Sequence, residues 1–122
     1  MSTEFLRKYC LAFRGTTEDI KWGNDLCFCV AEKIFCVALM EGPFQASFKC
    51  DDEDFSTLTE RDEIIPAPYT ARNKWVLVKS STALNKKEWQ HFVHKSYRLI
   101  LAKLPMKTQL ILALPIVNNA KN

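Results

Sequence analysis

Phe5, Tyr9, Ala12 and Phe13 recur at helical spacing, which predicts a helix over residues 3–14, capped by Ser2 or Thr3 and stopped at Gly15. Residues 16–25 are rich in turn formers, carry Trp22-Gly23, and read as a connector. Residues 26–30 and 33–40 are apolar, β-branched and Cys-rich, the composition of two strands joined at Ala31-Glu32. That dipeptide lacks the residues a tight turn favours, so the hairpin follows from its flanks alone. After Gly42-Pro43, the residues Phe44, Ala46, Phe48 and Cys50 alternate with Gln45, Ser47 and Lys49. A strand with one packed face and one wet face has this pattern.

Asp51-Asp52-Glu53-Asp54 opens a second helix to about residue 61, since carboxylates favour the positive end of the backbone dipole. A divalent-cation site is the rival reading of that acidic run, and the helix start explains it more simply. Pro66 and Pro68 keep the chain extended, residues 75–79 read as a strand, and residues 80–84 as a loop. Asn85 and Glu88 form a capping-box pattern ahead of the clearest element. There Trp89, Phe92, Val93, Ser96, Tyr97, Ile100, Leu101 and Leu104 make one stripe that ends before Pro105, and Lys87, His91, His94, Lys95 and Arg98 lie opposite. This element order predicts an α+β fold, an antiparallel sheet with helices packed on one face. With 122 residues it forms one domain, residues 1–109, followed by a tail, 110–122.

Composition is ordinary for a globular chain, with 48% hydrophobic and 25% charged residues. The net charge of +3 conceals a split. Residues 1–63 hold seven basic and thirteen acidic side chains, a net −6, whereas residues 64–122 hold ten basic and one acidic, Glu88, a net +9. A one-sign segment of this kind recruits polyanions or acidic partners. The longest apolar run, residues 110–117, has eight residues and includes Pro115, far short of the roughly 20 a membrane-spanning helix needs. The N-terminus has neither the basic start nor the apolar stretch of a signal peptide, so a cytoplasmic location is expected.

The five cysteines at 10, 27, 29, 36 and 50 read as small buried hydrophobes in a reducing compartment. They contain no C-x-x-C, and a Cys2His2 zinc site would require the fold to bring Cys27 and Cys29 to His91 and His94. The same four residues supply the sole imaginable catalytic dyad, and no P-loop, G-x-G-x-x-G, nucleophile elbow or H-E-x-x-H is present. A non-enzyme with no metal, cofactor or small-molecule substrate is therefore expected.

Several strings resemble a known family when taken together. They are Thr17-Glu18-Asp19 before Trp22-Gly23, then Ser47-Phe48-Lys49-Cys50-Asp51, Pro66-Ala67-Pro68-Tyr69 and Lys74-Trp75-Val76-Leu77-Val78. Ser96-Tyr97 leading to Ala102-Lys103-Leu104-Pro105 completes the set. In this order they resemble the MmcQ/YjbR family of small bacterial proteins, over about residues 3–109. The resemblance implies a fold like that of the CyaY/frataxin group with a double-wing arrangement. It also implies DNA binding through a basic surface, with no catalytic residue set to carry over. Ala31-Glu32 stands where the family pattern leads one to expect a glycine-rich turn, and the tail is more apolar than the family suggests.

These readings converge on phosphate-directed DNA binding with little sequence preference. The expected contacts are Arg72, Lys74, Lys79, Lys86, Lys87, Lys95, Arg98, Lys103 and Lys107. Trp22, Tyr69 and Trp75 are the aromatics that could stack on bases, with Trp22 the best exposed candidate and Trp75 expected to pack in the core or at an edge. The competing expectation is a protein-interaction domain or homodimer, built on the charge split and the apolar tail.

Overall fold

The second strand is apolar on both faces, and the rest of the chain is arranged around it. In a computed structural model describing residues 1–113, it spans Asp25–Val30 (β2) and sits between Thr16–Lys21 (β1) and Lys33–Leu39 (β3). Ala46–Lys49 (β4), Ile64–Pro66 (β5) and Trp75–Val78 (β6) complete a six-stranded sheet in the order β1-β2-β3-β4-β6-β5. Every neighbouring pair is antiparallel. The helices are Thr3–Leu11 (α1), Asp52–Leu58 (α2), Lys86–Leu101 (α3) and Met106–Ala113 (α4). The fold class is thus the expected one, α+β with an antiparallel sheet.

The register fixes two faces. Leu26, Phe28 and Val30 on β2, Ala46 and Phe48 on β4, and Val76 and Val78 on β6 meet α1 and α3 in one core. Phe48 lies edge-on to the buried Trp89 of α3 and parallel to Phe92. Ser96 is fully buried; its hydroxyl donates to the Phe35 carbonyl at 2.6 Å and accepts the Lys49 amide at 2.9 Å, tying α3 across two strands. Cys27, Val37, Ser47, Trp75 and Leu77 belong to the other face, where no helix lies among the described residues.

Three predicted segments differ. The expected connector over residues 16–25 is mostly the edge strand β1, paired with β2 from Thr16↔Val30 to Lys21↔Asp25. Its Thr-Thr-Glu-Asp sequence carries no apolar alternation because an edge strand buries little, and charged side chains there discourage pairing with another chain. Ile64–Pro66 is a short strand that the two prolines disguise: Pro66 falls at the end of the opposite edge strand, where a missing N–H is tolerated. The predicted tail begins inside α4, whose Leu112 packs back on the core beside Gly15. At Gly15, with φ +76°, a Cβ would stand 2.6 Å from Leu112 Cδ2. Residues 114–122 of the tail lie outside the described residues.

The hairpin between β2 and β3 does form. Ala31 and Glu32 take φ values of +48° and +67°, the left-handed pair that a two-residue hairpin turn demands even without glycine.

Candidate nucleic-acid interface

The clearest cationic surface is built by two parallel helices. Asn85 caps α3 and Glu88 returns the bond, as the capping box predicts. Ser2 caps α1 by accepting the Phe5 amide. Phe5, Tyr9 and Phe13 then meet Lys86, Gln90 and His94 in turn: Lys86 Nζ lies 4.8 Å over the Phe5 ring, the Tyr9 hydroxyl donates to the Gln90 carbonyl at 3.0 Å, and the Phe13 and His94 rings are 4.9 Å apart. The Tyr97 hydroxyl donates to the Arg14 carbonyl at 2.6 Å and closes the far end.

The outward side of this pair exposes Lys8 from α1 and Lys86, Lys87, His91, His94 and Arg98 from α3. Burial against Phe13 and Tyr97, then the neighbouring Arg98 and His91, hold the His94 imidazole below its ordinary pKa. His91, His94 and Arg98 are spaced three and four residues apart on α3, which puts them on one exposed face. Nearby carboxylates are occupied: Glu88 binds the Arg61 guanidinium at 2.7 and 3.2 Å, and Glu4 lies 3.6 Å from Arg7. Lys8 was not singled out by sequence, since its membership depends on α1 lying alongside α3.

The nine predicted contacts do not form one patch. Lys86, Lys87 and Arg98 belong to this surface. Lys95 does not: it turns toward α2, where its ammonium meets Asp51 at 2.7 Å and Asp54 at 2.8 Å. Those bonds raise the Lys95 pKa, occupy two of its three donors and put two carboxylates where a phosphate would have to approach. Arg72 and Lys74 lie on the loop between β5 and β6, with Lys74 Nζ 5.0 Å over the Phe55 ring. Lys79 is exposed just past β6, and Lys107 in the first turn of α4. Lys103, past the end of α3, lines a hollow with Lys33 and Lys49, neither of which was singled out.

The cysteine–histidine combination fails on geometry. Cys27 and Cys29 belong to the helix-free face, near Asp19 and Lys21 of β1, whereas His91 and His94 lie on the outside of α3 beyond the core. Burial pushes the Cys27 thiol up to about 11, and all five cysteines are free and buried. The acidic run keeps its structural explanation: the Asp51 side chain caps α2 by accepting the Asp54 amide at 2.8 Å. No helix among the described residues is long and apolar enough to cross a membrane.

Comparison with known proteins gives the fold and the family. A crystal structure of a Deinococcus radiodurans protein with a DUF419 domain is similar at a TM-score of 0.83 and 20% identity, covering 93% of this chain and 89% of that one. A Pseudomonas syringae protein is similar at a TM-score of 0.69 and 18% identity, covering 81% and 98% respectively. A search of curated proteins returns no match. The YjbR family model matches residues 11–99, from the end of α1 through most of α3, and with that span covered the chain belongs to the YjbR family.

Proposed function

We propose that this protein is a non-enzymatic nucleic-acid-binding domain that grips the phosphates of duplex DNA through the paired helices α1 and α3. The observation that supports this reading is the exposed row of Lys8, Lys86, Lys87 and Arg98 on one surface whose adjoining carboxylates are engaged by other residues. Helical rows of cations on flexible stems match a phosphate backbone without reading bases. Little sequence preference follows, because such contacts carry no base information. The test is anisotropy of a labelled duplex at low salt with wild type and with Lys87→Glu/Arg98→Glu. The expected result is binding by wild type and its loss in the variant, with the circular dichroism spectrum unchanged. Equal binding by both proteins, or none by wild type, overturns the proposal.

Self-association is a second reading, supported by Met106, Leu110 and Ile111, which α4 leaves exposed. Sedimentation of the protein with and without residues 110–122 separates it from the first: a shift in mass supports it, and an unchanged mass removes it.

A further inference from the structure

The helix-free face of the sheet carries a groove of about 580 Å³ that the DNA-binding reading leaves unused. Ile34, Val37 and Trp75 line it, flanked by Trp22 from the β1–β2 turn and Tyr69 from the β5–β6 loop. Trp22 is 75% exposed and Tyr69 fully exposed. One exposed aromatic needs no explanation, but two flanking one apolar hollow point to a ligand. Both also adopt left-handed backbone, with φ of +53° at Trp22 and +69° at Tyr69. A bulky aromatic rarely sits there, and strain retained on the rim of a hollow is typical of a functional site.

The groove continues into a second hollow of about 530 Å³, which shares Ile34 and Trp75 with it and is bounded by Lys33, Lys49 and Lys103. Lys49 is only 8% exposed, and its ammonium donates to the Asn73 carbonyl at 2.6 Å. Among the described residues none of the three lysines has an ion-pair partner. Burial and then Lys103 lower the Lys49 pKa, with Asp52 only a minor offset. A sequestered cation pushed by another cation is relieved by an anion.

The two hollows complement a single kind of ligand, one with a flat aromatic part and an anionic part. Ser47, on the groove, and Lys49, in the lysine hollow, are two residues apart on β4, about 7 Å along the strand. A nucleobase and its own 5′-phosphate are separated by a distance of the same order. Asp25 also lines the groove, and it sets the orientation: its carboxylate repels phosphate and can accept from an exocyclic amine. We propose that this face binds a nucleotide unit, with the base on Trp75 between Trp22 and Tyr69 and the phosphate on Lys33, Lys49 and Lys103. No residue is shared with the α1/α3 surface, so the site stands or falls independently of it.

The unit comes either from a free nucleotide or from a base in a single strand, and calorimetric titration of the full chain distinguishes them. The probes are adenosine 5′-monophosphate, adenosine and a single-stranded oligodeoxyadenylate. The monophosphate binds if free nucleotides are the ligand; the oligonucleotide binds alone if a base within a strand is. In either case Trp22→Ala, Tyr69→Ala and Lys33→Glu/Lys103→Glu, all at exposed positions, weaken binding about tenfold. Absence of binding by both nucleotide probes at millimolar concentration overturns the site. Adenosine binding as tightly as the monophosphate, or indifference to the groove substitutions, does so too.

Discussion

The Lys95 ammonium donates to the Asp51 carboxylate at 2.7 Å, so a cation from the basic half of the chain is bound to the residue that caps a helix in the acidic half. Hydrogen bonds from Lys95 and from the Asp54 amide hold the Asp51 carboxyl below its ordinary pKa. The ionised form is therefore favoured by folding. Its contribution is present above the unfolded value of about 3.9 and is lost as the pH falls through the lower folded value. Glu18 beside Arg7 and Glu88 beside Arg61 shift in the same direction. Asp51→Asn keeps a good cap but removes the charge. It is expected to lower stability by about 0.5–1 kcal/mol near neutrality, the range for a partly exposed pair, and by almost nothing near pH 2. Urea midpoints at the two pH values check this, and an equal loss at both contradicts it.

Ser96 joins α3 to the sheet through two buried backbone groups. Ser96→Ala leaves the Lys49 amide and the Phe35 carbonyl without their side-chain partner, and is expected to cost about 2–3 kcal/mol. Thermal unfolding reads this directly. A change below about 0.5 kcal/mol, the level of an ordinary surface substitution, contradicts the assigned role.

Sequence made the core elements legible and left the edges obscure, for one physical reason. Trp89, Val93 and Tyr97 recur at helical spacing because α3 buries one side, and Ala46 and Phe48 alternate with Ser47 because β4 has a packed core face. The edge strands β1 and β5 bury little, so polar Thr16–Lys21 and proline-bearing Ile64–Pro66 carry no comparable signal. The stripe of basic residues on α3 was legible as a helix face, but the diversion of Lys95 was not. That depends on where α2 packs, a long-range fact absent from local spacing. Trp75, expected in the core or at an edge, lines the helix-free groove instead. Lys49 was visible as a wet-face position; its burial beside Asn73 and Lys103 needed the fold.

If the left-handed backbone at Trp22 is retained for its exposed ring, glycine there separates stability from binding. Relief of the positive φ, about 1–2 kcal/mol, opposes the extra freedom glycine gives the unfolded chain, about 0.4–1 kcal/mol. Trp22→Gly is therefore expected to be as stable as wild type or more so, by up to about 1.5 kcal/mol, while weakening the nucleotide binding proposed for the groove about tenfold. Denaturant midpoints measure the first part, and a clear loss of stability contradicts the strain argument.

The central claim, phosphate-directed binding by α1 and α3, is tested most directly by the salt dependence of duplex affinity. The logarithm of the association constant should fall linearly with the logarithm of salt concentration, by about 0.9 for each phosphate neutralised. Lys87→Ala and Arg98→Ala should each reduce that slope by about one, and Lys95→Ala, already ion-paired to Asp51 and Asp54, should leave it unchanged. An affinity insensitive to salt, or a slope reduced as much by Lys95→Ala as by Arg98→Ala, would contradict the assignment of this surface.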